Sequence, residues 1–283
     1  HQTRISFVFA ASPTCNNGPM LEVQTPTAAE AFTADELAQF ERDGFFIVRS
    51  LGGESLRRRM LDVTLDGVAR LVEPVEFEAD VHYPGAPESR DGRGGHTVRR
   101  LQQAICRDHA FMEWLTSPTL VGRLTQLLGP AYFCPLAHHN CVMTKHPAFS
   151  SDTGWHQDIR YWSFTEPELV TVWLALGPEH PDNGCLRVIP GSHRMELERS
   201  RFDDALFFRD DLPENQALID QAQFAGLDPG DVLFFHCKTL HAATRNFTEQ
   251  TKYSVVFTFR GADNPPRAGT RSDESPELLI HGG

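Results

Sequence analysis

A helical N-terminal part followed by an antiparallel β-barrel or sandwich is the fold class that this 283-residue chain predicts. Two observations carry that expectation. Up to Gly129-Pro130 the apolar residues recur at helical spacing in capped segments, and beyond it the period shortens to that of strands. The strand-like runs then follow one another across short turn signals without intervening crossover helices, which disfavours a parallel βαβ sheet. With 40% hydrophobic residues the chain can bury one large core, so a single domain is expected.

In chain order, residues 1–19 show no periodicity and precede Met20, and they are expected to be an upstream remnant outside the domain. Thr33-Ala34-Asp35-Glu36 reads as a capping box ahead of Leu37 and Phe40, with a stop at Gly44. Phe45-Phe46-Ile47-Val48 is a strand, broken at Gly52-Gly53. From Glu54 to Glu73 the residues Leu56, Met60, Leu61, Leu65, Val68 and Leu71-Val72 keep helical spacing up to Pro74. Arg57, Arg58 and Arg59 near its start are read as a solvated face. Residues 76–100, with His82, Tyr83, His96, Arg99 and Arg100, are irregular, and the candidate readings are a lid over a substrate or a disordered loop. Ser117-Pro118 opens a further helix through Leu120, Leu124 and Leu128. The helical part is thus expected over about 32–129, a β-rich core over about 130–262, and a C-terminal tail over 263–283.

The β-rich runs are Tyr132-Phe133, residues 139–143, 170–176, 186–189, 232–236 and 253–260, separated by turn signals such as Asp182-Asn183-Gly184 and Asp228-Pro229-Gly230-Asp231. Acidic residues outnumber basic ones by 38 to 26, which argues against nucleic acid or an anionic membrane as the main partner. No apolar run reaches the length of a membrane span, so a cytoplasmic protein is expected. The six cysteines are widely spaced without a Cys-x-x-Cys pair and are expected to be reduced thiols packed as small hydrophobes.

The chemistry centres on Gly154-Trp155-His156-Gln157-Asp158. On a strand, side chains two apart share a face, so His156 and Asp158 can bind one ion together. His241, after the apolar run Val232-Leu233-Phe234-Phe235, is the best third ligand. Two imidazoles and one carboxylate leave coordination positions open, the arrangement of non-haem Fe(II) oxygenases. A His-x-Asp pair alone is common by chance, so the third ligand matters.

Trp155-His156-Gln157-Asp158, Trp173-Leu174-Ala175-Leu176, the run from Asn183 through Pro190-Gly191-Ser192-His193, Pro229-Gly230-Asp231-Val232 and Leu240-His241 occur in this order. The set resembles the phytanoyl-CoA dioxygenase family of Fe(II)- and 2-oxoglutarate-dependent oxygenases over roughly residues 32–262. The resemblance implies a double-stranded β-helix, or jelly roll, with the N-terminal helices packed outside. It implies Fe(II), 2-oxoglutarate and O2, with His156, Asp158 and His241 as metal ligands and Trp173 and His139 at the cosubstrate. Where the family usually has an Arg that clamps the far carboxylate of 2-oxoglutarate, this chain has Lys252, with Ser254 on the same strand face. If Lys252 points outward, cosubstrate binding falls to Arg245 or Arg260, or 2-oxoglutarate is not used at all. Asp158, where halogenating relatives have a small residue, implies hydroxylation, with release of succinate and CO2. Arg160, Tyr161, Trp162 and Arg99 are candidate contacts to a small substrate and suit an anionic one. The alternatives are a metal-dependent ligand-binding jelly roll without turnover and a zinc hydrolase or isomerase on the same ligands. His138, His146, His180, His193 and His236 are read as surface or core histidines.

Overall fold

Thr33 starts the first helix, α1 (Ala34–Asp43), by the expected box: its hydroxyl accepts from the Glu36 amide and the Glu36 carboxylate accepts from its own amide. Gly44 ends α1 in the left-handed region and turns the chain directly into β1 (Phe45–Val48). This computed structural model describes residues 30–282. The expected remnant at 1–19, and Cys15, lie outside them.

The remaining elements are α2 (Glu54–Ala69), β2 (Val75–Phe77), β3 (Val98–Gln102), α3 (His109–Leu115), α4 (Pro118–Leu128), β4 (Tyr132–Pro135), β5 (Asn140–Lys145), β6 (Thr153–His156) and β7 (Leu169–Ala175). They continue with β8 (Arg187–Val188), α5 (Pro213–Ile219), β9 (Gln223–Phe224), β10 (Val232–His236), β11 (His241–Ala243), β12 (Lys252–Gly261), α6 (Arg271–Glu274) and β13 (Glu277–His281). Every strand pairing is antiparallel. The large sheet runs β1-β10-β7-β12-β5-β3-β2, with β4 added to β12 and β13 to β4. The small sheet runs β6-β11-β8-β9. Together they make the jelly roll that the resemblance implies.

Period-two alternation divides the core in two. On β7, Val172 and Leu174 face outward into the cluster with Met60, Phe111, Leu120 and Leu124 of the helices. Trp173 and Ala175 face the lumen with Val188, Ala243 and Val256. Covered on both faces, β7 is buried at every position.

Three expectations change. α2 ends at Ala69, because Leu71 enters the left-handed region and the chain then turns into β2, so the apolar Leu71-Val72 does not extend the helix. Residues 76–100 are largely built into the fold: Glu76 and Phe77 lie on β2, residues 78–80 form a 3₁₀ turn, and Arg99 and Arg100 lie on β3 within the large sheet. The stretch expected to be mainly helical therefore contributes two strands besides the expected β1, and the expected tail contributes β13. The five described cysteines are all free.

Gly44 ties α1 to the segment that leads from β10 into β11. Its carbonyl accepts from the His236 amide and the Thr239 hydroxyl, at φ +81°, and a Cβ there would stand 2.4 Å from His193 Nδ1. Gly44→Ala is expected to lower stability by at least about 1–2 kcal/mol, the left-handed penalty alone, as measured by denaturant unfolding.

Candidate metal centre and cosubstrate pocket

β6 and β11 are neighbours in the small sheet, and their register places His156 opposite His241. The imidazole rings stand 4.2 Å apart between centroids. Asp158 is not on the strand with His156, as the i, i+2 argument expects. β6 stops at His156, and Asp158 opens the 3₁₀ turn that follows, folding its carboxylate back over the two rings. Asp158 Oδ1 lies 3.8 Å from His156 Nε2 and 3.5 Å from His241 Nε2. One ligand atom from each of the three residues falls within 4.8 Å of the others, and all three residues are buried.

Each ring is held from behind. His156 Nδ1 donates to the Gly154 carbonyl at 2.8 Å, and His241 Nδ1 to the Thr239 carbonyl at 2.9 Å. Those bonds fix the tautomer in which each Nε2 lone pair faces the centre, the form a metal requires. Thr171 donates to Asp158 Oδ2 at 3.1 Å, which orients the carboxylate and leaves Oδ1 toward the imidazoles. Burial, with the nearby His241 and Arg160, holds His156 well below the usual imidazole range, so the ring is neutral. Burial alone would raise Asp158, but the interactions with His139 and His241 outweigh it and hold the carboxyl well below its usual range. Two imidazoles and one carboxylate, buried and convergent, fit a divalent transition metal.

His139 joins this group, with Nε2 3.4 Å from Asp158 Oδ1 and its ring edge-on to Trp162. Its Nδ1 is buried without a hydrogen-bond partner. His138, expected to be a surface or core histidine, stacks on Trp162 at 5.0 Å and lines the cavity; burial first, then His139 and Arg271, lowers it to about 3. His193 and His236 are tied to the Glu41 carbonyl and the Glu168 carboxylate, respectively, consistent with structural roles.

A cavity of about 530 Å³ opens beside the three ligands, within the range of small-molecule sites. Trp173 forms part of its wall, and Arg160, Tyr161 and Trp162 line it as expected. Arg160 lies over the rings of Tyr161 and Phe207, and Tyr161 donates to the Ala205 carbonyl, so the segment carrying Ala205 and Phe207 packs against these lining residues. Phe207 is also edge-on to His156 at 6.0 Å. Nothing in sequence periodicity singled out Phe207. Arg99 reaches the cavity but is committed elsewhere: it is ion-paired with Glu76 at 3.0 Å and Glu78 at 3.4 Å, and it donates to Ser151. It is a wall residue and a poor candidate for a free anion clamp.

Lys252 points inward. Its Nζ donates to Glu179 Oε2 at 3.0 Å and to Ser254 Oγ at 3.2 Å, and sits 4.9 Å from the Trp173 ring centroid. Ser254 donates to Glu179 Oε1 at 2.6 Å, and Trp173 Nε1 to the same oxygen at 2.9 Å. Lys252, Ser254 and Trp173, three of the side chains assigned to the cosubstrate by resemblance, thus converge on one buried carboxylate of the protein's own. The substitute cations are spent: Arg245 pairs with Asp152 at 2.5 Å, and Arg260 pairs with Glu277.

The family model for phytanoyl-CoA dioxygenase (PhyH) matches residues 40–254. The chain belongs to the phytanoyl-CoA dioxygenase family. It is an Fe(II)- and 2-oxoglutarate-dependent dioxygenase. Its relatives include an ectoine dioxygenase of Streptomyces avermitilis, 26% identical over 258 residues, covering 85% of this chain and 82% of the relative. The human peroxisomal phytanoyl-CoA dioxygenase is 26% identical over 244 residues, covering 82% and 69%. Among solved structures, EctD from S. alaskensis in its apo form superposes with a TM-score of 0.70 at 18% identity, covering 89% of this chain and 87% of that one. The carbocyclase SnoK from nogalamycin biosynthesis gives 0.68 at 19%, covering 91% and 97%.

Within this dioxygenase the Lys252–Glu179 pair is sealed, with side-chain exposures of 2% and 0%. Removing one partner of such a pair leaves a bare buried charge. Glu179→Ala is expected to cost about 3–5 kcal/mol of folding stability. Adding Lys252→Met should restore part of it, so that the double variant is more stable than Glu179→Ala alone in denaturant unfolding.

Proposed function

We propose that the chain hydroxylates an unactivated C–H bond of a small anionic molecule, with His156, Asp158 and His241 as the iron ligands and Lys252 at the far carboxylate of 2-oxoglutarate. The observation that carries the ligand assignment is the anchoring of both Nδ1 atoms, which turns both Nε2 atoms and Asp158 Oδ1 toward one point. When bound, Fe(II) with 2-oxoglutarate and O2 supplies oxidative decarboxylation to succinate and CO2 and the oxidising power for the C–H bond.

The chain's own residues bind, orient and shield. Thr171 and His139 hold Asp158 from two sides, which limits rotation of the carboxylate. Trp173 and Trp162 line the cavity and give the reacting centre an apolar wall. Asp158 fills the position that a halide would need, which favours hydroxylation over halogenation.

The substrate's charge is inferred from the lining. With Arg99 and Arg100 set against Glu76 and Glu78, and Lys252 against Glu179, the cavity lining leaves Lys145, Arg160 and Arg271 facing Asp158, in a chain whose formal charge is −12. Arg160 and Arg271 make only carbonyl and ring contacts among the described residues, to Ala205 and Ala137 respectively, and stand ready for an anion. The relatives are named for two different compounds, ectoine and phytanoyl-CoA, so neither is carried over.

Asp158→Ala is expected to cut substrate-stimulated succinate release by at least about a hundredfold, more than the loss of an outer-sphere partner, with an unchanged circular dichroism spectrum. Turnover within a few-fold of the parent would contradict the ligand assignment. Metal binding without succinate release in the parent would favour a binding module.

A further inference from the structure

Glu179 leaves the lysine at the cosubstrate position electrically satisfied before any ligand arrives. A carboxylate approaching Lys252 meets an ammonium that has already spent two of its three donors, with a carboxylate 3.0 Å behind it. One further cation is placed to offset that repulsion. Lys145 ends β5 directly across from Lys252 of β12 in the antiparallel register, on the same face of the sheet, and both line the cavity. It is 9% exposed, and its Nζ donates to the Ser151 carbonyl at 2.7 Å. Among the described residues no carboxylate is paired with it: the nearby Glu78 takes bonds from Ser151 and Arg99, and Asp152 is held by Arg245. Lys145, Lys252 and Glu179 together form a set that one more carboxylate would balance.

We propose that Lys145 is a second cosubstrate ligand, and that the far carboxylate of 2-oxoglutarate is shared between the ammonium groups of Lys145 and Lys252 while Glu179 holds Lys252 in place. This rests on the cosubstrate reading given above. A lysine offers one point charge where a guanidinium offers two parallel donors, and a second lysine on the neighbouring strand supplies the missing donor. Glu179 keeps Lys252 compensated when the pocket is empty, which a buried cation requires.

The groups facing Lys145 are Arg99 on β3, Lys252 on β12, Glu78 on the 3₁₀ turn and Asp152 ahead of β6. Burial foremost, then repulsion from Arg99 and Lys252, pushes Lys145 down to about 7, against attraction from the two carboxylates. An arriving carboxylate favours the charged ammonium and raises that value. Above it, the free protein carries Lys145 largely neutral, and binding must take up a proton; well below it, Lys145 is already charged and binding takes up none.

The test is calorimetric titration of 2-oxoglutarate into full-length protein loaded with Mn(II), in buffers of different ionisation enthalpy about one pH unit above that value. The parent is expected to take up a proton on binding. Lys145→Met should lose that uptake and bind 2-oxoglutarate on the order of tenfold or more weaker, the loss of a charge-assisted hydrogen bond, while Mn(II) binding stays at the parental level. The assignment is overturned if the parent binds without proton uptake, a result independent of how the variant folds. It is equally overturned if Lys145→Met binds Mn(II) normally and 2-oxoglutarate as tightly as the parent. A parent that binds Mn(II) but no 2-oxoglutarate would overturn the cosubstrate reading itself, and this assignment with it.

Discussion

Asp158 is an ionised carboxylate withdrawn from water, and the structure around it is arranged to meet that charge. A buried carboxylate without partners is costly, so its two oxygens are divided. Oδ2 accepts from Thr171, and Oδ1 faces His139, His156 and His241 at 3.4 to 3.8 Å. None of these partners is adjacent on one element. Thr171 comes from β7, His139 from just before β5, and His241 from β11, so both sheets must close before the site exists. Gly44 reinforces the closure by accepting from the segment that leads into β11. The metal centre is in this sense a product of the whole barrel.

The opposite end of the cavity answers the inverse problem, a buried cation. Lys252 is compensated by Glu179, and that carboxylate is in turn fixed by Ser254 and Trp173. A network of this kind is rigid, because its members depend on one another for their hydrogen bonds. Its rigidity positions the Trp173 wall, and its net neutrality leaves the positive groups of the cavity to Lys145, Arg160 and Arg271.

The parts of this arrangement legible in the sequence are those encoded locally. The capping box at Thr33, the stop at Gly44 and the Ser117-Pro118 start set helix bounds through neighbouring residues alone, and α1 and α4 fall where expected. His156, Asp158 and His241 carry chemistry that few other roles require, and the fold brings their side chains within 4.8 Å of one another. β2 and β3 were unreadable because their charged residues Glu76, Arg99 and Arg100 are polar in the sequence yet neutralise one another within the sheet. β6 and β11 are too short for a period to register. Glu179 carried no signal, as one of 38 acidic residues in a Gly-Pro-Glu-His turn. A clue did exist: a buried lysine at the clamp position demands a counter-charge, though not where in the chain it lies.

The central claim is that His156, Asp158 and His241 hold iron with adjacent positions open to a chelating 2-oxo acid. Anaerobic titration of the Fe(II)-loaded protein with 2-oxoglutarate, followed by visible absorption, addresses it directly. A charge-transfer band that grows to saturation with 2-oxoglutarate, and does not form with succinate, is the predicted result. Iron bound at full stoichiometry with no such band would contradict it.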